Sequence, residues 1–317
     1  MMPRWKKRQK ERRFKKQKRL ILGLFFLLLL LLILASIFRF YSVWHQAKLR
    51  DLKRINIILE SGPIFLVSFE RDKSLYLIQL PAEQKITLSR GFGDYPLKVI
   101  YQLGELSQKG NELLAESVQN YFGLPIWGTI IAKDQCDWQA DSVKKCLTQI
   151  LWSALESQTK TNLNFFDLFD LWQQVKKIPT YDCLTQDLAK APVFLPNGEF
   201  ALPKLDAFWG KSFFDQELVR ENLAVAIFNT TAVTGLGNQA GRLLVNAGGH
   251  LIEVSNAESE QAKTILVANK KTTGSYTYKF LQQIFQAVGK EGEIEGGRAE
   301  IAVYLGTDYW KRLNEKW

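Results

Sequence analysis

The chain has 317 residues, 46% of them hydrophobic, and a formal net charge of +10. The whole positive excess lies in residues 1–19, which hold eleven lysines and arginines and one acid, so the remainder is neutral. This distribution excludes a uniformly basic globular protein of the nucleic-acid-binding class. Binding of nucleic acid by the basic tail alone stays open but ranks third, and no nucleic-acid partner is expected, because a charge block lacks a groove-reading element.

An uncharged run follows the tail, from Leu20 to Phe38. As a helix it would cover about 28 Å, close to the hydrocarbon core of a bilayer. Large residues at 39–44 argue against a signal-peptidase site, and a soluble core helix is rarely apolar on every face. We therefore predict an uncleaved transmembrane helix at 20–38, with the tail 1–19 in the cytoplasm, a stem at 39–53, and the rest outside.

Cysteine and histidine are scarce in this sequence. Cys136, Cys146 and Cys183 are an odd number for an exported protein, and we expect structural thiols, with pairing of two of them left open. His45 and His250 are too few for a zinc cluster or a Ser-His-Asp triad. The sequence therefore predicts no metal and no cofactor.

The exported part shows the alternating strands and helices of an α/β protein. Its first region, 54–178, has predicted strands at 55–59, 64–69, 75–80 and 125–132 and predicted helices at 111–122, 142–155 and 165–175. Prolines interrupt residues 179–221, which we predict to be a linker with one short helix at 213–220. The last region, 222–317, has predicted strands at 223–228, 250–254, 265–268 and 300–305 and helices at 237–246 and 276–288.

A glycine motif opens the second predicted domain. Gly235 and Gly237 stand in G-x-G-x-x-A, which is the pattern of a dinucleotide-binding turn, but six residues separate Gly235 from the strand end at Phe228. The spacing favours a glycine-permitted turn that leads into a helix, with Asn229 and Thr231 in the same turn. Asn229-Thr230-Thr231 is also a glycosylation sequon by pattern.

Two resemblances add what spacing cannot supply. Residues 223–312 resemble the LytR C-terminal domain of bacterial envelope proteins through LAVAIFNTTAVTGLGNQAGRLL, NAGGHLIEVSNAE and AEIAVYLGTDYW. Residues 53–178 resemble a reduced LytR-CpsA-Psr domain through INIILE, IFLVSFERDKSLYLIQLP and NELLAESVQNYFGLPIWGTIIAKD. The second resemblance implies a fold that, in intact members, transfers glycopolymers from a polyprenyl-diphosphate carrier to peptidoglycan.

The catalytic pattern of that family does not survive in this chain. The Asp- and Arg-rich stretch that would separate the first two strands has no room at 57–64. The family's Pro-Arg-Asp reads Pro81-Ala82-Glu83, and its Lys-x-Asn reads Lys98-Val99-Ile100. Because a diphosphate needs several cations or a metal, the resemblance implies a non-catalytic member.

Two functions at the cell envelope rank above nucleic-acid binding. The leading one is binding or scaffolding at the cell envelope, with the lipid bilayer and peptidoglycan, a wall glycopolymer or another envelope protein as expected partners. The alternative is residual glycopolymer transfer, in which Lys98, Arg90 and Asp94 around the loop 89–96 would hold diphosphate and metal.

Overall fold

The computed structural model describes residues 22, 25, 27–44, 46–133, 136, 138, 142–257, 259–294 and 298–317. The basic tail 1–19, the first residues of the predicted transmembrane helix and His45 lie outside the described residues. The chain divides into two compact units, Met1–Ala47 and Lys48–Trp317.

The first unit contains helix α1, Leu27–Trp44, which is long and apolar enough to cross a membrane. Its apolar side chains are exposed along the whole helix. The helix continues past the predicted end at Phe38, so the first six residues of the predicted stem are helical. Residues 39–44 contain no proline or glycine that would end a helix, and the rings of Phe40 and Trp44 stack one turn apart at 6.3 Å.

The second unit begins with a mixed sheet and its helices. In chain order the elements are β1 Arg54–Glu60, β2 Ile64–Glu70, β3 Ser74–Leu80, β4 Lys85–Leu88, β5 Gly93–Pro96, α2 Ile100–Glu105, α3 Gly110–Phe122, β6 Gly128–Ile131, α4 Val143–Leu155, β7 Lys160–Thr161, α5 Phe165–Lys177, β8 Cys183–Asp187, α6 Leu202–Ser212 and α7 Gln216–Glu221. The main sheet has the order β7-β6-β1-β2-β3-β8. β1, β2 and β3 form an antiparallel meander, while β6 joins β1 and β8 joins β3 in parallel.

The main sheet lies between two helical layers. β1 alternates sides: Ile57 packs in one core cluster with Leu147 of α4, and Ile58 packs in the other with Leu113 of α3. Burial on both faces explains why β1 and β2 carry apolar residues on both faces. The structure confirms the predicted start of α5 and the predicted end of α3. Asn164 closes a capping box on α5, and Gly123 ends α3 in the left-handed region.

The segment 179–221 differs from the irregular linker predicted for it. It supplies the edge strand β8, whose apolar residues are buried Cys183 and exposed Leu184 and which therefore lacks an apolar alternation. It also supplies α6, whose Leu205 and Trp209 are fully buried. The predicted strand 125–132 is shorter than expected, since only Gly128–Ile131 pairs with β1.

The C-terminal part of the unit is a second α/β layer. Its elements are β9 Ala224–Asn229, α8 Leu236–Asn246, β10 His250–Asn256, β11 Ile265–Ala268, α9 Tyr276–Phe285, β12 Val288–Glu291, β13 Ile301–Leu305 and α10 Thr307–Asn314. The sheet order is β10-β9-β13-β11-β12, with only the β11–β13 pair antiparallel. α9 ends three residues before the predicted position because Gln286 adopts a left-handed conformation, and the exposed residues 288–291 form β12.

Candidate functional site

The two α/β regions of the second unit are joined by buried polar contacts. Asp215, which caps α7, accepts hydrogen bonds from the Arg54 backbone N–H at 3.1 Å, from the Glu217 backbone N–H at 2.9 Å and from the Tyr276 hydroxyl. Asp215 is 2% exposed, and burial raises its pKa against the lowering effect of these donors. The carboxylate therefore ties β1 of the first region to α9 of the second.

A second set of contacts joins α3 to α8. The Arg242 guanidinium donates to the Asp206 carboxylate and, at 2.8 Å, to the Tyr121 carbonyl. The Asn246 amide donates to the Gly123 carbonyl at 3.0 Å. Because buried groups engage partners on both sides, the two regions form one packed body.

A cleft of about 480 Å³ lies beside this interface. One wall is α3 with the residues that lead into β6, and the other is formed by the C-terminal end of α9 and by α10. The lining residues are Lys48, Glu112, Ala115, Glu116, Gln119, Asn120, Ile126, Trp127, Asn162, Gln283, Ile284, Gln286, Tyr309, Arg312 and Leu313. The volume is within the roughly 300–1,000 Å³ of small-molecule sites.

Two buried polar atoms in the cleft have no hydrogen-bond partner among the described residues. They are the Tyr309 hydroxyl, on a side chain 3% exposed, and the Asn120 Oδ1 atom. Asn120 is oriented by its other amide atom, which donates to the Ser89 hydroxyl at 2.7 Å. Leaving such a group unpaired costs about 1–3 kcal/mol, and because both atoms are buried, a ligand in the cleft would reach them only after neighbouring side chains move.

The charges that line the cleft are balanced. Lys48 and Arg312 contribute two cations, and Glu112 and Glu116 contribute two carboxylates. Arg312 donates to the Phe285 carbonyl at 2.6 Å, and burial lowers the pKa of its guanidinium. Five amide side chains complete the lining: Gln119, Asn120, Asn162, Gln283 and Gln286. This composition suits a neutral ligand rich in hydroxyl or amide groups better than a diphosphate.

The ligand-binding residues predicted from the sequence have separate partners. Lys98, half exposed, pairs with Glu83 at 2.6 Å, and exposed Asp94 accepts a hydrogen bond from Thr87 at 2.6 Å. Arg90 binds Glu116 through two hydrogen bonds of 2.7 and 2.8 Å. Asp94 lies within the hairpin β4–β5, Arg90 lies in its turn, and Lys98 follows it.

Of these three residues, Arg90 lies beside the cleft. Its partner Glu116 lines the cleft, its backbone N–H donates to the Leu313 carbonyl, and its guanidinium lies 4.8 Å from the Trp317 ring centroid. Arg90 thereby fixes the position of a cleft carboxylate and links the β4–β5 turn to α10.

The predicted turn of the C-terminal domain has an internal explanation. The Asn229 side chain donates to the Val233 carbonyl at 2.8 Å and accepts from the Thr231 backbone N–H at 3.1 Å and hydroxyl at 2.8 Å. Gly235 precedes α8 with φ +85°, and a Cβ on Gly237 would lie 2.8 Å from Val254. These contacts account for the motif as a turn into α8.

Sequence reasoning missed most residues of the cleft. They come from α3, the chain before β6, the turn after β7, α9 and α10, which are distant in sequence. In each element their polar types are ordinary for an exposed helix face, so the single sequence carries no local signal for them. Only Arg90, through Glu116, was among the predicted site residues.

Residues 222–309 match the family model described as "LytR cell envelope-related transcriptional attenuator". The match confirms the LytR C-terminal resemblance and relates the domain to a cell-envelope family. No match was found among curated proteins. Similar solved structures are TagV of B. subtilis (11% identity, TM-score 0.35, covering 49% of this chain and 94% of that chain) and a transcriptional regulator of Enterococcus faecalis (12%, 0.38, 52% and 88%). TagU of B. subtilis is also similar (9%, 0.30, 42% and 83%).

Proposed function

We propose that this protein is a membrane-anchored cell-envelope protein that binds a hydroxyl- and amide-rich wall polymer in the cleft and performs no chemistry on it. The observation that carries the proposal is the amide-rich, charge-balanced lining of the cleft, where the Tyr309 hydroxyl and Asn120 Oδ1 are also buried without a partner in the part of the chain described. Amides, carboxylates and an arginine around an aromatic ring are the groups that hydrogen-bond sugar hydroxyls.

The anchor is α1 together with the basic tail that precedes it in sequence. A basic flank is retained in the cytoplasm, so the compact unit from Lys48 onward would face the envelope. Alkaline carbonate extraction tests the anchor, with the chain expected in the membrane pellet. Protease protection of sealed vesicles tests the orientation. Digestion of the tail by protease added outside would show the reverse of the proposed orientation.

The non-catalytic role is supported by the dispersal of the predicted diphosphate site. Lys98, Asp94 and Arg90 each engage a different side chain, so these three residues do not form a cluster that would hold a lipid diphosphate. Residual glycopolymer transfer is the alternative function. It predicts magnesium-dependent binding of a polyprenyl diphosphate that is lost in Lys98→Ala.

Titration calorimetry on the full chain in nanodiscs tests ligand binding, with soluble peptidoglycan fragments as the probe. We expect binding that weakens about tenfold in Asn120→Leu, which removes the Oδ1 acceptor and its orienting amide. Lys98→Ala is the matched control and should bind like the wild type. Absence of fragment binding by the wild type would refute the proposal, as would a loss confined to Lys98→Ala.

A further inference from the structure

Helix α5 carries exposed aromatic side chains on the face opposite its core face. Leu168, Leu171 and Val175 are buried against the main sheet. On the outer face, Phe165 and Phe169 are 55% and 41% exposed. α5 is therefore apolar on two faces, whereas a helix on the surface of a soluble protein normally has one apolar stripe.

The outer side chains form one continuous row with a tryptophan of α4. Ring centroids are 6.3 Å apart for Phe165 and Phe169, 5.8 Å for Phe169 and Trp172, and 5.4 Å for Trp172 and Trp152. Trp152 is 48% exposed. We call these four residues the aromatic row. A contiguous exposed aromatic surface of this kind marks an interaction site.

Cationic side chains flank the aromatic row at the end of α5. The Lys176 ammonium lies 3.4 Å from the Trp172 ring centroid, and exposed Lys177 follows it and pairs with exposed Asp72 at 3.5 Å. The two acids of α5 are engaged away from the row: Asp167 is 2% exposed, and Asp170 pairs with Arg71. The outer surface of α5 therefore combines aromatic rings with lysines, a combination that complements anionic headgroups.

The stem ties α5 to the chain that leaves α1. The Leu49 backbone N–H donates to the Asp167 carboxylate at 2.9 Å, and Arg71 donates to the Leu49 carbonyl at 2.7 Å. Leu49 follows Trp44, the last residue of α1, by five residues. α5 is therefore bound to a part of the chain that lies only five residues from the end of α1 in sequence.

We propose that the aromatic row docks on the bilayer surface. Its rings would lie at headgroup level, where tryptophan and other aromatic residues are enriched, and Lys176 would meet anionic lipids. This inference rests on the proposed anchoring by α1. Docking would hold the envelope unit in one orientation to the membrane and fix the direction in which the cleft opens.

Quenching of tryptophan fluorescence by lipids brominated on the acyl chain tests the docking. The full chain is reconstituted at one copy per nanodisc, in phosphatidylglycerol and phosphatidylcholine. We expect Trp152→Phe and Trp172→Phe each to lose part of the quenched emission of the wild type. Trp317→Phe is the matched control, because Trp317 is also 46% exposed but lies at the C-terminus, and its quenching should equal that of the wild type.

Phe169→Glu supplies an independent test, since an exposed position tolerates the charge without unfolding. We expect it to lower the quenching from Trp152 and Trp172 while circular dichroism stays unchanged. Quenching by Trp152→Phe and Trp172→Phe equal to that of the wild type would overturn the inference. Two other results would also overturn it. A dimer would identify a second copy of the chain as the occupant of the aromatic row, and glycan binding abolished by Phe169→Glu would identify a glycan as the occupant. If the proposed anchor itself is wrong, carbonate extraction will release the chain from the membrane pellet, which distinguishes that failure from a failure of the docking.

Discussion

Replacement of Tyr309 by phenylalanine separates the effect of the Tyr309 hydroxyl on the stability of the ligand-free protein from its effect on ligand binding. The hydroxyl is buried and has no partner among the described residues, and burial raises its pKa far above the ordinary tyrosine value. An unsatisfied buried hydroxyl costs about 1–3 kcal/mol, and Tyr309→Phe removes it while the ring stays in place against Phe285. We therefore expect the free energy of unfolding of the ligand-free protein to rise by about 1 kcal/mol.

The same change should weaken ligand binding. If the hydroxyl completes one hydrogen bond to the polymer, its loss costs about 0.5–1.5 kcal/mol, or a roughly two- to twelvefold increase in Kd. Urea denaturation followed by circular dichroism measures stability, and calorimetry with peptidoglycan fragments measures affinity. The prediction is thus a variant that is more stable and binds less well.

Tyr278→Phe is the control for this experiment. The Tyr278 hydroxyl is also on a buried side chain but donates to the Leu266 carbonyl at 3.4 Å, so its removal loses a hydrogen bond and should lower stability by about 1 kcal/mol. A loss of stability in Tyr309→Phe as large as in Tyr278→Phe would show that the Tyr309 hydroxyl has a partner in the free protein. The reasoning about the cleft would then fail.

Two further substitutions test the interface and the main sheet. Gly123→Ala should destabilise more than Gly62→Ala: both positions have positive φ, costing about 1 kcal/mol, but only at Gly123 would a Cβ meet Asn246, at 2.8 Å. Equal midpoints in urea for the two variants would contradict the close packing there. Glu60→Gln should stabilise the protein at pH 7, because burial raises the pKa of Glu60 and its Oε2 atom has no partner in the described chain. The folded wild type takes up its proton at higher pH than the unfolded chain, so this advantage should shrink as pH falls through the folded pKa and vanish below the unfolded one; an advantage that grows on acidification would refute it.

The sequence predicted elements well where one residue pattern decides the structure. The runs at 55–59, 64–69 and 75–80 became β1 to β3 with one-residue changes at their ends, because largely buried strands are rich in apolar residues. It failed for β8 and β12, edge strands whose exposed polar residues carry no alternation. Edge strands are specified by the neighbour they pair with, which a single sequence does not display.

The candidate site was less predictable than the fold. The resemblance led to Lys98, Arg90 and Asp94, which are close in sequence. Arg90 and Asp94 lie in the hairpin β4–β5 and Lys98 follows it, and each of the three contacts a different partner. The cleft assembles side chains from α3, α9 and α10, and its distinguishing property is the absence of hydrogen-bond partners for Tyr309 and Asn120 within the described residues. Hydrogen-bond satisfaction is a tertiary property, so only the packed chain reveals it.

The order of strands in the main sheet also bears on how the chain folds. β1, β2 and β3 are consecutive and joined by turns of three residues, so the meander has short loops to close and we expect it to form early. The strands that pair with the two edges of this meander come much later in the sequence: β6 pairs with β1, and β8 pairs with β3. Until residues 128–187 have been synthesised, two apolar strands present open edges, and this interval is when a nascent chain most needs a chaperone to prevent aggregation.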